Sequence, residues 1–572
     1  DQAMVERLVR ATSGVPLAIE LAAARLRLLD LDTLVSDLER DVAALGRRQG
    51  SVEAMLHATW STLGPAEQDL VALLGWLARP ADVETLCEAS ALDRWSLLDA
   101  LDSVVRGSLA ADRERRFSVL GVVSRFAAPR GSETASRAFV TWAAGRARTL
   151  TEQRTQSPEA ATRSLTEEAP TLRRALDLAT EPEERATLAI AIGGYDVLWK
   201  REGHLRKVLA ELDLDTLPRT LAIDVAHMRT LLAPHGAGPD QQVALARQGL
   251  DLALADGTPT QRAAGWSRWV FARMVAEGAR AARGDLETML EAATAQGVPG
   301  SLTRPALLVG SDLAVRLGEL EHALELVDRA SVESSALMAP QLLARRAALQ
   351  LLLGRDDLGV EAATKALAGA RVLRMPMLVL ISGHELLLCA RSAGRLDLVE
   401  IHLPELEELA RELDPSKMAT LLLARASLEE DAKAQTTLEE AVALARRAGR
   451  SRVESLAQRA LGFRRHQAAG VTAAIEHYRA AIEAVDGTDW VRERAIATAW
   501  HAMACRERDG RDGRSDWSRE LSELVPTGDL AGRVVRLARA MLLEREPVPP
   551  IPDHVQVLVR TRQIAERALA VR

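Results

Sequence analysis

The residue types able to do chemistry are scattered through this sequence rather than gathered. Cys87, Cys389 and Cys505 lie far apart, with no CxxC spacing and no histidine pair at zinc spacing beside them, and three are too few for a disulfide framework. His384, His402, His466 and His477 supply imidazoles, yet no two stand four residues apart with a third ligand nearby, so structural or surface roles are expected of them. The sequence has no Gly-x-x-x-x-Gly-Lys-Ser/Thr loop to cradle phosphates, and from residue 131 onward no serine elbow, paired-carboxylate site or glycine-rich cradle emerges. The chemistry expected is recognition, not catalysis. Trp266 and Trp269, at i,i+3, and Trp490 and Trp500 are candidate partner contacts if they face a groove, with packing between helices as the ordinary alternative for each.

The elements that would position these residues are helices. Apolar residues make up 48% of 572 positions but aromatic ones only 3%, and Ala, Leu, Arg and Glu dominate, a palette of strong helix formers that predicts an all-α chain. The length suggests about three to five units at ~100–200 residues each. A net charge of −7 gives no positive field for nucleic acid. The longest nearly uninterrupted apolar runs, 70–78 and 375–381, fall short of the ~20 residues that span a bilayer. With three isolated cysteines, this predicts a cytoplasmic protein. The chain enters a helical pattern at once after Asp1, which predicts a piece of something longer.

Val5, Leu8 and Val9 recur at helical spacing; Ser13-Gly14 breaks the pattern, and Pro16 opens a second helical run, LAIELAAARLRLL. The stretch GVPLAIELAAARLRLL resembles the "GLPLA" segment of NB-ARC domains in STAND signalling ATPases, a family that includes bacterial transcriptional regulators. The resemblance implies that Pro16 lies against the adenine of ADP or ATP in the intact protein, with Gly14 and Leu17 shaping the turn. It also implies that the phosphate-binding core lies upstream. Residues 1–50 are accordingly expected to form the helical lid segment of that domain.

Residues 51–130 read as three helices and a short hairpin, with Phe117 and Val119 alternating before a last helix, which suggests a winged helix. The block resembles the winged-helix domain that follows the NB-ARC core, carried by Trp60-Ser61, Leu63, Pro65-Ala66-Glu67-Gln68, Cys87 and LDALDSVVRGSL. Many members have Met-His-Asp before the last helix, where the histidine reads the ADP β-phosphate; Val119, Leu120 and Gly121 stand here, so that clamp is missing. Eight arginines against eleven carboxylates, a net of −3, argue against DNA binding. Arg113, Arg115 and Arg116 read as solvated hairpin charge, with a DNA-touching wing tip as the alternative. Trp60 and Trp76 are expected in the core.

Residues 131–545 carry degenerate repeats. Tetratricopeptide units need a small residue between antiparallel helices and alanines five and twelve positions later, so that the second helix can approach the first. Gly318, Ala323 and Ala330 fit; Gly354 with Ala366, Gly394, and Ala474 with Ala481 fit in part, and Gly203, Gly238 and Gly284 continue the spacing upstream. LTEEAPTLRRALDLA and YDVLWKREGHLRKVLAELDL resemble the entry to the repeat domain of the same regulators, so the family likeness covers about 1–215. LPELEELARELD is read as a solvated face. Residues 546–572 are expected to be a proline-rich connector and a terminal helix that caps the solenoid.

Taken together, the expectation is the regulatory and sensor portion of a nucleotide-dependent switch. Its solenoid would bind an inducer or a partner protein, its lid and winged helix would hold the upstream core closed, and release would allow homo-oligomers to form. The alternatives are a constitutive repeat scaffold with a degenerate nucleotide module and a winged-helix DNA-binding regulator. No cofactor is expected in this chain alone.

Overall fold

A computed structural model describes residues 56–199, 203–233, 238–295, 298, 300–332, 338–510, 517–524, 529–543 and 556–570, with isolated positions between 6 and 35. Gly14, Pro16 and Leu17, and with them the lid segment, lie outside the described residues, as does the proline run within 546–555. The chain divides into two compact units, residues 1–197 with 202–228 and residues 198–201 with 229–572.

In the first unit, helices α1 (Pro65–Trp76), α2 (Val83–Ala89) and α3 (Arg94–Arg106) precede a hairpin of β1 (Ala111–Arg113) and β2 (Arg116–Ser118), followed by α4 (Gly121–Ala127). Sequence explains the boundaries. Asp82 and Asp93 cap α2 and α3 by accepting from backbone N–H groups of the first turn, at 2.9 Å from Thr85 and 3.0 Å from Trp95. Glu114 and Arg115 take φ of 56° and 61°, the left-handed pair that a two-residue hairpin turn with the right-handed strand twist demands. Ala81 adds a bridge to Phe117, exchanging backbone hydrogen bonds at 2.9 and 2.8 Å. The hairpin arginines Arg113, Arg115 and Arg116 are exposed.

Helices α5 (Glu133–Gln156), α6 (Pro158–Leu178), α7 (Pro182–Trp199), α8 (Gly203–Glu211) and α9 (Arg219–Leu231) follow. The fully buried Phe139 of α5 stacks on Trp76 at 5.3 Å, and the Trp76 indole donates to the Ala128 carbonyl at 2.9 Å. Trp60 is half-buried, edge-on to Phe126. Glu168 of α6, nearly inaccessible, is gripped by Arg146 at 2.8 and 2.9 Å and reached by Arg79, which ties α6 to α5 and to the end of α1. The first helix pair of the 131–545 region is therefore fused to the preceding block.

The second unit contains α10 (Pro239–Asp256), α11 (Pro259–Ala276), α12 (Ala279–Ala282), α13 (Leu286–Thr294), α14 (Gly300–Leu317), α15 (Leu320–Ser331), α16 (Ala339–Leu352), α17 (Asp356–Val372), α18 (Pro376–Ser392), α19 (Leu396–Leu413), α20 (Met418–Arg425), α21 (Asp431–Arg447), α22 (Ser451–Ala469), α23 (Val471–Glu483), α24 (Val491–Asp509), α25 (Trp517–Glu523), α26 (Leu530–Leu543) and α27 (Gln556–Ala570). Consecutive helices pair as in tetratricopeptide-like solenoids. Gly318, Gly354 and Gly394 turn α14 into α15, α16 into α17 and α18 into α19 at φ between 71° and 95°, where only glycine avoids the Cβ penalty. Ala323, Ala330, Ala366, Ala474 and Ala481 are buried where paired helices approach.

Two expectations need correction. The turn expected at Gly284 falls at Gly278, whose φ is 91°, while Gly284 sits inside a short 3-10 turn. Nor is LPELEELARELD wholly solvated. Glu407 is 4% exposed and ion-paired to Arg425 of the next helix as well as to Arg411.

The unit also curls onto itself. Asp489 accepts from the Ala279 N–H at 3.0 Å and pairs with Arg316 at 3.4 Å, while Arg492 bridges the Val315 carbonyl, at 2.8 Å, to Asp529. Gly354 faces Leu530 and Arg533, and Gly394 faces Gln556. Replacing Gly354 with Ala places a Cβ at φ 73°, 3.1 Å from Arg533 Nη1 and 3.3 Å from Leu530 Cδ1. A loss of about 1–2 kcal/mol is expected in urea unfolding. Gly145→Ala, mid-helix in α5 with nothing within 4 Å, should instead gain about 0.5–1 kcal/mol.

Candidate functional site

Helices α16, α18, α22, α24, α26 and α27 converge within the second unit. Between them is a cavity of about 120 Å³, lined by Leu388 and Arg391 of α18, Arg452, Leu456 and Arg459 of α22, and Glu493, Ile496 and Trp500 of α24, with Leu351, Leu530 and Arg560 also on its wall. Helix periodicity puts Arg452, Leu456 and Arg459 on one face of α22, since i, i+4 and i+7 lie within a single stripe.

Four arginines line this cavity against one carboxylate. Arg452 and Glu493 satisfy each other at 2.7 Å, and Glu493 is 5% exposed. The other three are unmatched. Among the described residues the Arg391 side chain has no hydrogen bond or ion pair, and its Nε is buried without a partner. Arg459 is 6% exposed with Nε and Nη1 unsatisfied; its guanidinium rests 5.6 Å from the Trp500 ring. Arg560 lies 5.2 Å from the Phe463 ring. Burial, reinforced by Arg560 and Arg459, pushes the Arg391 guanidinium down to about 9. Burial and neighbouring cations push Arg459 down to about 10. Both remain charged at neutral pH, each feeling the others' repulsion.

The tryptophans singled out by sequence fall in different settings. Trp266 packs on the core of α11, α13 and α14. Trp269 donates to Asp285 at 3.2 Å between Arg247 and Arg273. Trp490 borders a second cavity, of about 830 Å³, beside Asp489, Arg316 and Arg492, and its ring faces Arg316 and Arg452. Trp500 is 2% exposed and donates to Thr561 Oγ1 at 2.9 Å, so its ring edge forms cavity wall while its nitrogen is committed. Trp490 and Trp500 therefore border different cavities.

The histidines find local partners. His384 meets Glu385, His402 meets Arg371, His466 meets Glu507 at 2.7 Å and His477 meets Gln458. Among the described residues no cluster could hold a metal ion. Cys505, His501 and Glu520 do come together, with Sγ 3.7 Å from the imidazole and Glu520 at 3.2 Å. Burial pulls that imidazole down, but hydrogen bonds with Cys505 and Glu520 outweigh it and lift it to about 9. Cys505 belongs to the core with Met503 and Leu521, which makes the triad a structural polar network. Sequence reasoning missed Arg391, Arg459 and Arg560. The only signal was arginine on an apolar helix face, and that signal is faint in a chain this rich in arginine.

No protein-family model and no curated protein match the chain. Solved structures similar to it include a STAND protein with a tetratricopeptide repeat sensor from Pyrococcus horikoshii, at 11% identity and TM-score 0.34, covering 97% of this chain and 72% of that one. The apo form of the quorum sensor NprR from B. thuringiensis is similar at 13% identity and TM-score 0.43, over 60% of this chain and 98% of that one. The apo form of RapI is similar at 11% identity and TM-score 0.41, over 60% and 97% respectively.

The charge arrangement separates two arginines of similar burial. Arg452→Met strands the buried Glu493 and should cost about 3–5 kcal/mol in chemical unfolding, whereas Arg391→Met removes an unmatched cation and should be neutral or gain about 1–2 kcal/mol.

Proposed function

We propose that this chain is the regulatory and sensor portion of a STAND-type nucleotide-dependent switch, in which the concave side of the solenoid receives an inducer or partner. The observation that carries the reading is the cavity of α16 to α27, built for recognition: unmatched cations beside an apolar wall. The order helix, bridge, two helices and hairpin over 65–118 supports reading that block as a winged helix. The GVPLA segment supports a nucleotide-binding core preceding Gly14. In that arrangement ATP or ADP belongs to the core, and this chain contributes Pro16 on the adenine side, flanked by Gly14 and Leu17. Without a phosphate loop, nucleotide hydrolysis is assigned to the intact protein and not to this chain alone.

Inducer capture would act as a population shift. A ligand favouring the open state by ~3 kcal/mol moves the equilibrium more than a hundredfold, freeing the protein to self-associate. None of the described helices is long and apolar enough to cross a membrane. We place the switch in the cytoplasm.

A second reading, a constitutive scaffold with a degenerate nucleotide module, is favoured by Val119-Leu120-Gly121, where a histidine clamp would stand; Leu120 is 54% exposed at the start of α4. The natural gene product with its upstream sequence separates the two. The switch predicts a phosphate loop upstream, ADP that co-purifies, and release about tenfold faster in Pro16→Ala, a loss of about 1.4 kcal/mol. Nucleotide-free protein that still captures partners would establish the scaffold instead.

A further inference from the structure

We propose that the cavity between α16, α18, α22, α24, α26 and α27 is an anion site. Its ligand is a small organic acid whose carboxylate or phosphate is held by Arg391, Arg459 and Arg560 while its apolar body lies against Leu351, Leu388 and Leu456. The inference deepens the sensor reading of the groove and rests on it.

Charge balance is the first argument. Buried arginines in this unit otherwise have a carboxylate or carbonyl in reach: Arg452 has Glu493, Arg492 has Asp529 and Val315 O, and Arg567 has His466 O and Gln467. In this one cavity the guanidiniums of Arg391, Arg459 and Arg560 gather without an ion pair to a carboxylate among the described residues, the one carboxylate on the wall, Glu493, being paired to Arg452. Unmatched buried cations are expensive, and their mutual repulsion adds to the cost. A ligand anion removes both penalties, since guanidinium offers a planar fork that matches carboxylate and phosphate oxygens.

Geometry is the second argument. The three arginines come from three helices far apart in sequence, α18, α22 and α27, so no local rule of helix charge patterning explains their convergence. Arg459 is more than nine-tenths buried with two donors unsatisfied on the cavity side of α22, and the Trp500 face fixes its plane. The depression of Arg391 and Arg459 below their ordinary range comes first from burial; neighbouring cations add to it, and Glu493 only partly offsets it at Arg459. The size is that of a small molecule: a water needs ~10–15 Å³ of such space, so about 120 Å³ holds roughly ten small-molecule atoms. The wall beside the arginines is leucine, which sets the chemistry of the remainder of the ligand.

The test uses the full chain and calorimetric titration with sodium hexanoate, inorganic phosphate and the uncharged hexanamide, on wild type and on Arg391→Gln and Arg459→Gln. The variants' helical circular dichroism and melting are measured alongside, because removing an unmatched cation should leave both intact. Saturable binding of hexanoate or of phosphate, weakened at least tenfold by each substitution and absent for hexanamide, is expected; whichever anion binds identifies the acid group. Hexanamide binding as well as hexanoate, anion binding indifferent to both substitutions, or no saturable binding of either anion at millimolar concentration would overturn the assignment. Failure of the sensor reading looks different: anion binding lost in the variants but without effect on nucleotide retention by the natural gene product.

Discussion

The second unit depends on one closure, in which Asp489, Arg492 and Asp529 clasp the turns at Gly278 and Gly318. A helical array joined by short turns can in principle extend without limit, each pair touching only its neighbours. Here the turns at Gly278, Gly318, Gly354 and Gly394 lie against residues about 160–210 positions later in the chain, and a side chain at those turns would meet the later elements. Their positive φ favours glycine at all four, and at Gly354 and Gly394 a Cβ would also crowd Arg533, Leu530 and Gln556. The later helices thus cover part of the groove, where Arg459 and Glu493 are withdrawn from water.

That withdrawal raises the stakes of every charge placed inside. Where the chain answers a cation with an anion, as at Arg452 and Glu493 or Arg425 and Glu407, the pair offsets part of its desolvation and ties two helices together. Where it does not, as at Arg391, Arg459 and Arg560, no ion pair offsets the desolvation, and only ring contacts to Trp500 and Phe463 support two of the three. Stability given up at a recognition surface is a familiar signature of a site kept ready for something else. The same logic marks Cys505, His501 and Glu520 as different in kind, since their polar atoms satisfy one another inside a core.

Much of the fold was legible because its signals are local. Helix formers, proline starts and the glycine and alanine positions at Gly318, Ala323 and Ala330 follow from backbone sterics and helix spacing, which a single sequence exposes. The displaced turn at Gly278 shows the limit: two glycines six residues apart carry the same composition, and only the fit of α12 against its neighbours decides which takes the left-handed conformation. Glu407 looks solvated in sequence because its partner Arg425 lies on another helix. The cavity was illegible for the same reason: its arginines come together through the curl of the whole unit, and the tryptophans, easier to notice in sequence, scatter between core, ion-paired shelf and cavity wall.

The central claim is that the groove concentrates positive charge the protein leaves unanswered. Crystals of the chain soaked in sodium bromide and measured at the bromine absorption edge test it most directly, because a halide reports unmatched donors without any assumption about the ligand. The account predicts an anomalous peak among the Arg391, Arg459 and Arg560 guanidiniums, stronger than peaks at surface arginines. Bromide confined to the surface, with those three guanidiniums paired to carboxylates of the chain, would contradict it.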